Sequence, residues 1–362
     1  MYSSGLTIDG SYPLDNFNRI LKPNTDNNTD NLRHYTDPNY DPYTITPTAN
    51  GQHLIITYSN GYTFYQPVPH SAVMTAPPPP NMLPLNPSAN ISIRDYIYYL
   101  PYPLPPGTPI PYSTGLPHNN PLVLDPQATE PTSTLVLTSP RGTFVDLRIL
   151  LPLNTNTTEP LFPNTGGPPS RLEWAFGGTS SAYEYGLAGP GAPTHSVWKH
   201  WVDSNVAVGD DVEVDEGDMY ALPDGRTLEH GSSFNSAIGR MHSYEEMWSD
   251  ISIEACYPSD KKVVVVLRTE NVEARIRGLV VRLGQYCQGI LMKGKEVSVE
   301  RWEFVEHVDG DESVVGGEWT RTVKLGDLFL PCASTFKHDE LKVDAVVKFT
   351  DYKWVVEELL EL

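Results

Sequence analysis

The sequence predicts a mainly β body behind a Pro/Tyr-rich N-terminal extension, and three observations carry that prediction. The composition breaks near residue 130: residues 1–130 hold 22 of the 34 prolines and 13 of the 20 tyrosines, while all 7 tryptophans and all 3 cysteines lie beyond it. From Lys262 onward, short apolar runs rich in β-branched residues follow one another, separated by Gly- or charge-bearing turns. No helical crossover pattern links these runs, and many antiparallel strands without crossovers point to barrels or sandwiches. Periodicity alone does not choose between the two.

The extension, residues 1–130, is poor in Leu, Ile, Val and Phe. Ordering a chain costs roughly 1–2 kcal/mol per residue, and this segment has little apolar surface to offset it, so it is expected to be mostly disordered. One local exception is a β-hairpin over residues 53–65, where His53–Tyr58 and Tyr62–Tyr65 flank Asn60-Gly61, the pair a type I′ turn favours. Pro77–Pro80 and Leu100–Pro106 favour semi-rigid polyproline II and read as linkers.

In the body, Leu135–Thr138 and Thr143–Leu150 read as strands around a Pro140-Arg-Gly142 turn, and Arg171–Phe176 as a strand stopped by Gly177-Gly178. Asp210–Asp218 reads as a solvated acidic loop, since it lacks the residue order of an EF-hand. Ser243-Tyr-Glu-Glu246 has the spacing of a capping box and predicts a helix start. Strands then follow at 263–267, 274–283, 286–292, 297–305 and 319–325, with a period-two segment at 343–349 and a last strand at 354–358. The alternation of Val297, Val299, Trp302 and Phe304 slips by one residue, as a β-bulge would make it do. An internal echo pairs Leu135–Leu137, Phe144–Leu147 and Glu173–Phe176 with Val280–Leu283, Gly289–Met292 and Arg301–Phe304. It suggests two similar β-units in tandem, over residues 131–260 and 261–362.

The net charge of −20 disfavours nucleic acid and anionic lipid as partners. No secretory signal and no membrane-length apolar run is visible, so no membrane insertion is expected. Cys256, Cys287 and Cys332 form no CxxC or CxxH pattern and read as reduced thiols of a cytoplasmic or nuclear protein. The histidines show no metal spacing, and no nucleophile elbow, phosphate loop or dinucleotide fingerprint occurs, so no catalytic residue, metal or cofactor is assigned. Trp174 and Trp302 hold equivalent places in the two units; with Phe176 and Phe304 they are the candidate cavity-lining residues. Arg148, Arg275, Arg277 and Arg282 are expected on the outward face.

Several strings carry a family resemblance: Thr134–Pro140, Gly142–Arg148, Glu173–Ser181, His200–Ser204, Glu216–Tyr220, Pro223–Gly225, Tyr244–Trp248 and Gly284–Gly289. Over about residues 130–362 the chain resembles the fungal HRI family, which includes the casein-kinase-interacting protein of yeasts. The resemblance implies two tandem lipocalin-like antiparallel β-barrels, a cytoplasmic or nuclear location and association with a casein-kinase-type protein kinase. It implies no catalytic residue. Asn90–Arg94 and Leu100–Pro106 look like a family N-terminus, which makes Met82 the expected native start.

The functional expectation is a non-catalytic protein-interaction module. The alternative is a lipocalin-like carrier of a small apolar ligand held in a barrel cavity; a barrel-hosted cyclase or isomerase ranks third.

Overall fold

The computed structural model describes residues 82–152, 161–185, 192–212, 214–235, 239–310 and 313–362, together with the backbone of four earlier strands. The chain divides into two units, Met1–Pro80 and Asn81–Leu362. In the first, β1 (Arg33–Tyr35), β2 (Tyr43–Pro47), β3 (His53–Tyr58) and β4 (Thr63–Pro67) form an antiparallel sheet in that order. The predicted hairpin is its β3–β4 pair, with Thr57 opposite Thr63. The Asn60-Gly61 turn and the Pro77–Pro80 run lie outside the described residues.

The second unit opens with β5 (Met82–Pro84) and β6 (Asn90–Leu100), followed by β7 (Thr132–Thr138), β8 (Thr143–Leu150), β9 (Leu172–Tyr185), β10 (Thr194–Asp203), β11 (Val214–Ala221), β12 (Thr227–Asn235) and β13 (Arg240–Ile251). From β6 to β13 each strand pairs antiparallel with the next, and β13 returns to pair with β6. The result is a closed, eight-stranded, up-and-down barrel, which leaves no free strand edge. β5 adds to the end of β9.

Two expectations are corrected here. The extension was expected to run to residue 130 and the first unit to begin at 131, yet β6 closes the barrel and buries Ile91, Ile97 and Leu100. Its ladders to β7 and β13 supply the burial that its own Tyr-rich, Pro-flanked composition does not advertise. The Ser243–Glu246 helix start is part of strand β13. Ser243 pairs with Leu100 on one side and Ser232 on the other, and two flanking ladders override a local capping signal.

The second sheet contains β14 (Val263–Asn271), β15 (Ile276–Leu283), β16 (Tyr286–Lys293), β17 (Glu296–Val308), β18 (Val314–Leu325), β19 (Val346–Phe349) and β20 (Tyr352–Glu361). Its order is β18-β17-β16-β15-β14-β20-β19. The end strands β18 and β19 do not pair with each other, so this sheet curls as a half-barrel and stays open among the described residues. At the predicted slip, the β17–β18 register shifts between Arg301 and Trp302, and Thr322 is the unmatched residue.

The main core lies between the two sheets. Leu135, Leu137, Val145, Leu147 and Ile149 on the barrel wall pack with Val264, Val266, Leu279, Val281, Ile290 and Val299 of the second sheet. The other face of the second sheet carries Val265, Leu267, Cys287, Leu291 and Trp354, covered by the 3-10 turns of Cys332–Glu340. A sheet buried on both faces needs apolar residues at consecutive positions, which accounts for the unbroken Val263–Leu267 run.

Candidate functional site

The barrel wall that faces the second sheet is apolar, while the barrel interior holds a constellation of charges. Arg94 on β6, Asp146 and Arg148 on β8, Glu229 on β12 and Glu246 on β13 are all buried. Glu246 Oε1 accepts from Arg94 at 2.5 Å and from Arg148 at 3.3 Å. Arg94 also donates to Glu130 at 2.7 Å, and Arg148 to Asp146 at 3.0 Å. Burial opposes the charge on Arg94, but Glu246 and Glu130 outweigh it and hold the guanidinium firmly protonated. Burial pushes the Asp146 carboxyl up, against the pull of Arg148 and Arg94.

Above this pair runs a chain of oxygens. Tyr244 Oη lies 3.1 Å from both Asp215 Oδ1 and Glu229 Oε1, and Trp248 Nε1 donates to Glu229 Oε2 at 3.0 Å. Tyr244 has one hydroxyl hydrogen, which faces both carboxyl neighbours. Burial, reinforced by Glu246 and Asp215, pushes Glu229 well above the usual carboxylate range. Burial raises half-buried Asp215 as well, so the Tyr244 hydroxyl sits between two carboxyls that both hold their protons more firmly than usual. Small residues make the room, because a Cβ on Gly231 would overlap the Tyr244 ring and one on Gly217 would press on Glu229.

Beside it, Asp203 accepts from Trp174 Nε1 at 2.8 Å and faces His200 Nδ1 at 2.8 Å. The His200 ring stacks on Phe176 with centroids 4.2 Å apart. Arg148 lies 5.1 Å from the Trp174 ring and 5.3 Å from that of Phe176. The interior thus fixes a two-arginine cluster and a carboxyl pair joined through Tyr244. Among the described residues, no group of three or more His, Cys, Asp or Glu could hold a metal ion. No helix among them is long and apolar enough to cross a membrane.

A family profile described as Protein HRI1 matches residues 120–358. The chain belongs to the HRI1 family. Its fold is similar to the crystal structure of an uncharacterized protein from Saccharomyces cerevisiae, at 17% identity and a TM-score of 0.49, covering 75% of this chain and 99% of that one. A search of curated proteins found no match.

In this HRI1-family chain the four predicted cavity-lining aromatics fall into two separate groups. Trp174 and Phe176 lie on β9, the third strand of the β7-β8-β9 meander, and Trp302 and Phe304 lie on β17, the third strand of β15-β16-β17. The first pair packs with Arg148 and His200 as above. Trp302 donates to Glu300 at 2.9 Å and meets Phe336 edge-on, and Phe304 meets Trp319 in the same way. Arg148 and Arg282 are buried rather than outward, and Arg282 donates to Thr335 O at 2.6 Å. Part of the acidic loop is strand: β11 carries Asp215 toward Tyr244 and sets Asp218 3.0 Å from His195. The charged interior went unread because its signal is a period-two placement of Tyr244, Glu246 and Trp248 that the capping motif hid.

Proposed function

We propose that this protein is a non-catalytic protein-interaction module with a lipocalin-like first barrel, whose partner, following the family resemblance, is a casein-kinase-type protein kinase met in the cytoplasm or nucleus. One contrast carries the reading. The barrel interior is taken up by side chains bonded to one another, whereas among the described residues the end strands of the second sheet do not pair with each other and its β17–β18 end exposes Val305, Val308, Val314 and Val315. Apolar side chains gathered on an unclosed sheet are surface for a partner. The acidic balance of the chain favours a basic face on that partner.

The test is native mass spectrometry of the protein gently isolated from its own source, followed by titration of the purified chain with a casein-kinase-type kinase. A stoichiometric complex with the kinase and a bare free chain are expected. A reproducible small-molecule adduct of a few hundred daltons, with no kinase complex, would instead make it a carrier.

A further inference from the structure

We infer that the outer edge of β18, from Val314 to Thr320, receives an extended basic segment of a partner protein as an added strand; this rests on the interaction-module reading and names its docking site. Four observations lead there.

The first is availability. Among the described residues, Val314–Thr320 makes backbone pairs with β17 alone, and its other edge carries none. The barrel has no such edge. The opposite end of the second sheet is blunted in the usual ways: β19 has four residues, carries Lys348, and pairs Lys348 with Lys353.

The second is competence, which the chain itself demonstrates a few residues further on. Lys324 N–H donates to Pro163 O at 2.8 Å, Gly167 N–H to Lys324 O at 3.1 Å, and Gly326 N–H to Gly167 O at 3.1 Å. Gly167 forms a parallel bridge with Leu325, and Arg321 grips Asn164 through its side-chain and backbone oxygens at 3.1 and 3.2 Å. The Pro163–Gly167 segment thus lies along the end of this edge, and among the described residues the stretch from Val314 to Thr320 carries no such partner.

The third is the surface itself. Val308 and Val315 are more than half exposed, at 60% and 54%, and the sequence from Val314 to Thr320 holds no Lys or Pro to guard the edge. Gly316 and Gly317 keep side chains off the approach; a Cβ on Gly317 would overlap the Phe304 ring, so glycine is required there. Strand addition draws affinity from main-chain bonds and specificity from alternate side chains, and this edge offers both.

The fourth sets the charge of the occupant. From 303 to 318 the sequence has six acidic residues (Glu303, Glu306, Asp309, Asp311, Glu312 and Glu318) and no Lys or Arg. An acidic guest would be repelled, and a guest alternating Lys or Arg with β-branched residues would be held on both counts.

The probe is a short peptide alternating Lys and Val, added to the full chain, with the same peptide carrying Glu for Lys as control. Hydrogen exchange read by mass spectrometry should slow at amides 314–320 with the Lys peptide and stay unchanged with the Glu peptide. The Glu306→Lys/Glu318→Lys variant should weaken binding by about tenfold, and its unchanged exchange in β14–β16 shows that it is folded. Protection that maps elsewhere, equal binding of the Glu peptide, or no loss in the double variant overturns the assignment. Kinase capture is scored separately: capture undiminished in the double variant leaves the module reading standing and removes this edge from it.

Discussion

Glu246 is the side chain on which the barrel interior turns, and its removal has a calculable cost. It sits between two guanidiniums, with oxygen–nitrogen distances of 2.5 and 3.3 Å. At an effective dielectric of about 20 these contacts contribute about 5–7 kcal/mol of attraction each, much of it offset by desolvation of the charges. Replacing Glu246 by Gln leaves Arg94 and Arg148 facing each other inside the barrel without the carboxylate between them, and breaking a buried pair in this way costs about 3–5 kcal/mol. In a domain of this size each kcal/mol moves Tm by about 2–4 °C, so Glu246→Gln should lower Tm by about 6–20 °C in differential scanning calorimetry. The effect should be non-additive: once Arg148 has become Met, Glu246→Gln should cost less by about 0.5–3 kcal/mol. A Tm within about 2 °C of wild type for Glu246→Gln, or strict additivity in the double variant, would refute an interior built on this carboxylate.

Glu229→Gln should be tolerated and should change how stability varies with pH. An acid whose folded pKa is raised holds its proton longer in the folded state, so its contribution falls as pH rises from the ordinary carboxylate range toward the raised value; urea unfolding at about pH 5 and about pH 8 should show a gain for Gln over wild type that grows with pH. His195 is pushed up to about 9 by its hydrogen bonds to Asp218 and Glu216. Its stabilisation is complete below its unfolded pKa, near 6.5, and is lost as pH rises through about 9; an NMR titration midpoint near 6.5 would remove the claim. Gly231→Ala should cost about 1–3 kcal/mol in chemical denaturation, because Tyr244 cannot yield without leaving Asp215 and Glu229. Gly310→Ala, where an added Cβ meets nothing within 4 Å, is the control and should stay within about 0.5 kcal/mol.

The fold was legible where burial writes itself into composition. The Val263–Leu267 run, the Thr143–Leu150 strand and the slip before Trp302 all reflect sheets covered by apolar neighbours, and each appears where the sequence placed it. It was illegible where a partner strand does the work. β6 reads as Tyr-rich text between prolines until β13 and β7 flank it, and Ser243–Glu246 reads as a cap until Glu245 is seen accepting from Tyr112 and Ser113 N–H at 2.6 Å each. The interior charges were harder still. Arg148 and Glu246 lie 98 positions apart and are joined only by barrel closure, which no local pattern encodes. The two aromatic pairs were placed on equivalent strands by the internal echo, but their separate surroundings depend on which sheet closes.

Gln288 and Arg301 reach out of the second sheet into the barrel wall. Gln288 donates to the carbonyls of Leu135 and Val145 at 2.7 and 2.9 Å, and Arg301 to that of Leu147 at 2.8 Å and to Ser133 Oγ at 2.9 Å. The barrel and the half-barrel are thus stitched through main-chain oxygens across the apolar layer they share. Neither can be cut out as a stand-alone fragment, since excision would uncover both the layer and the carbonyls at once.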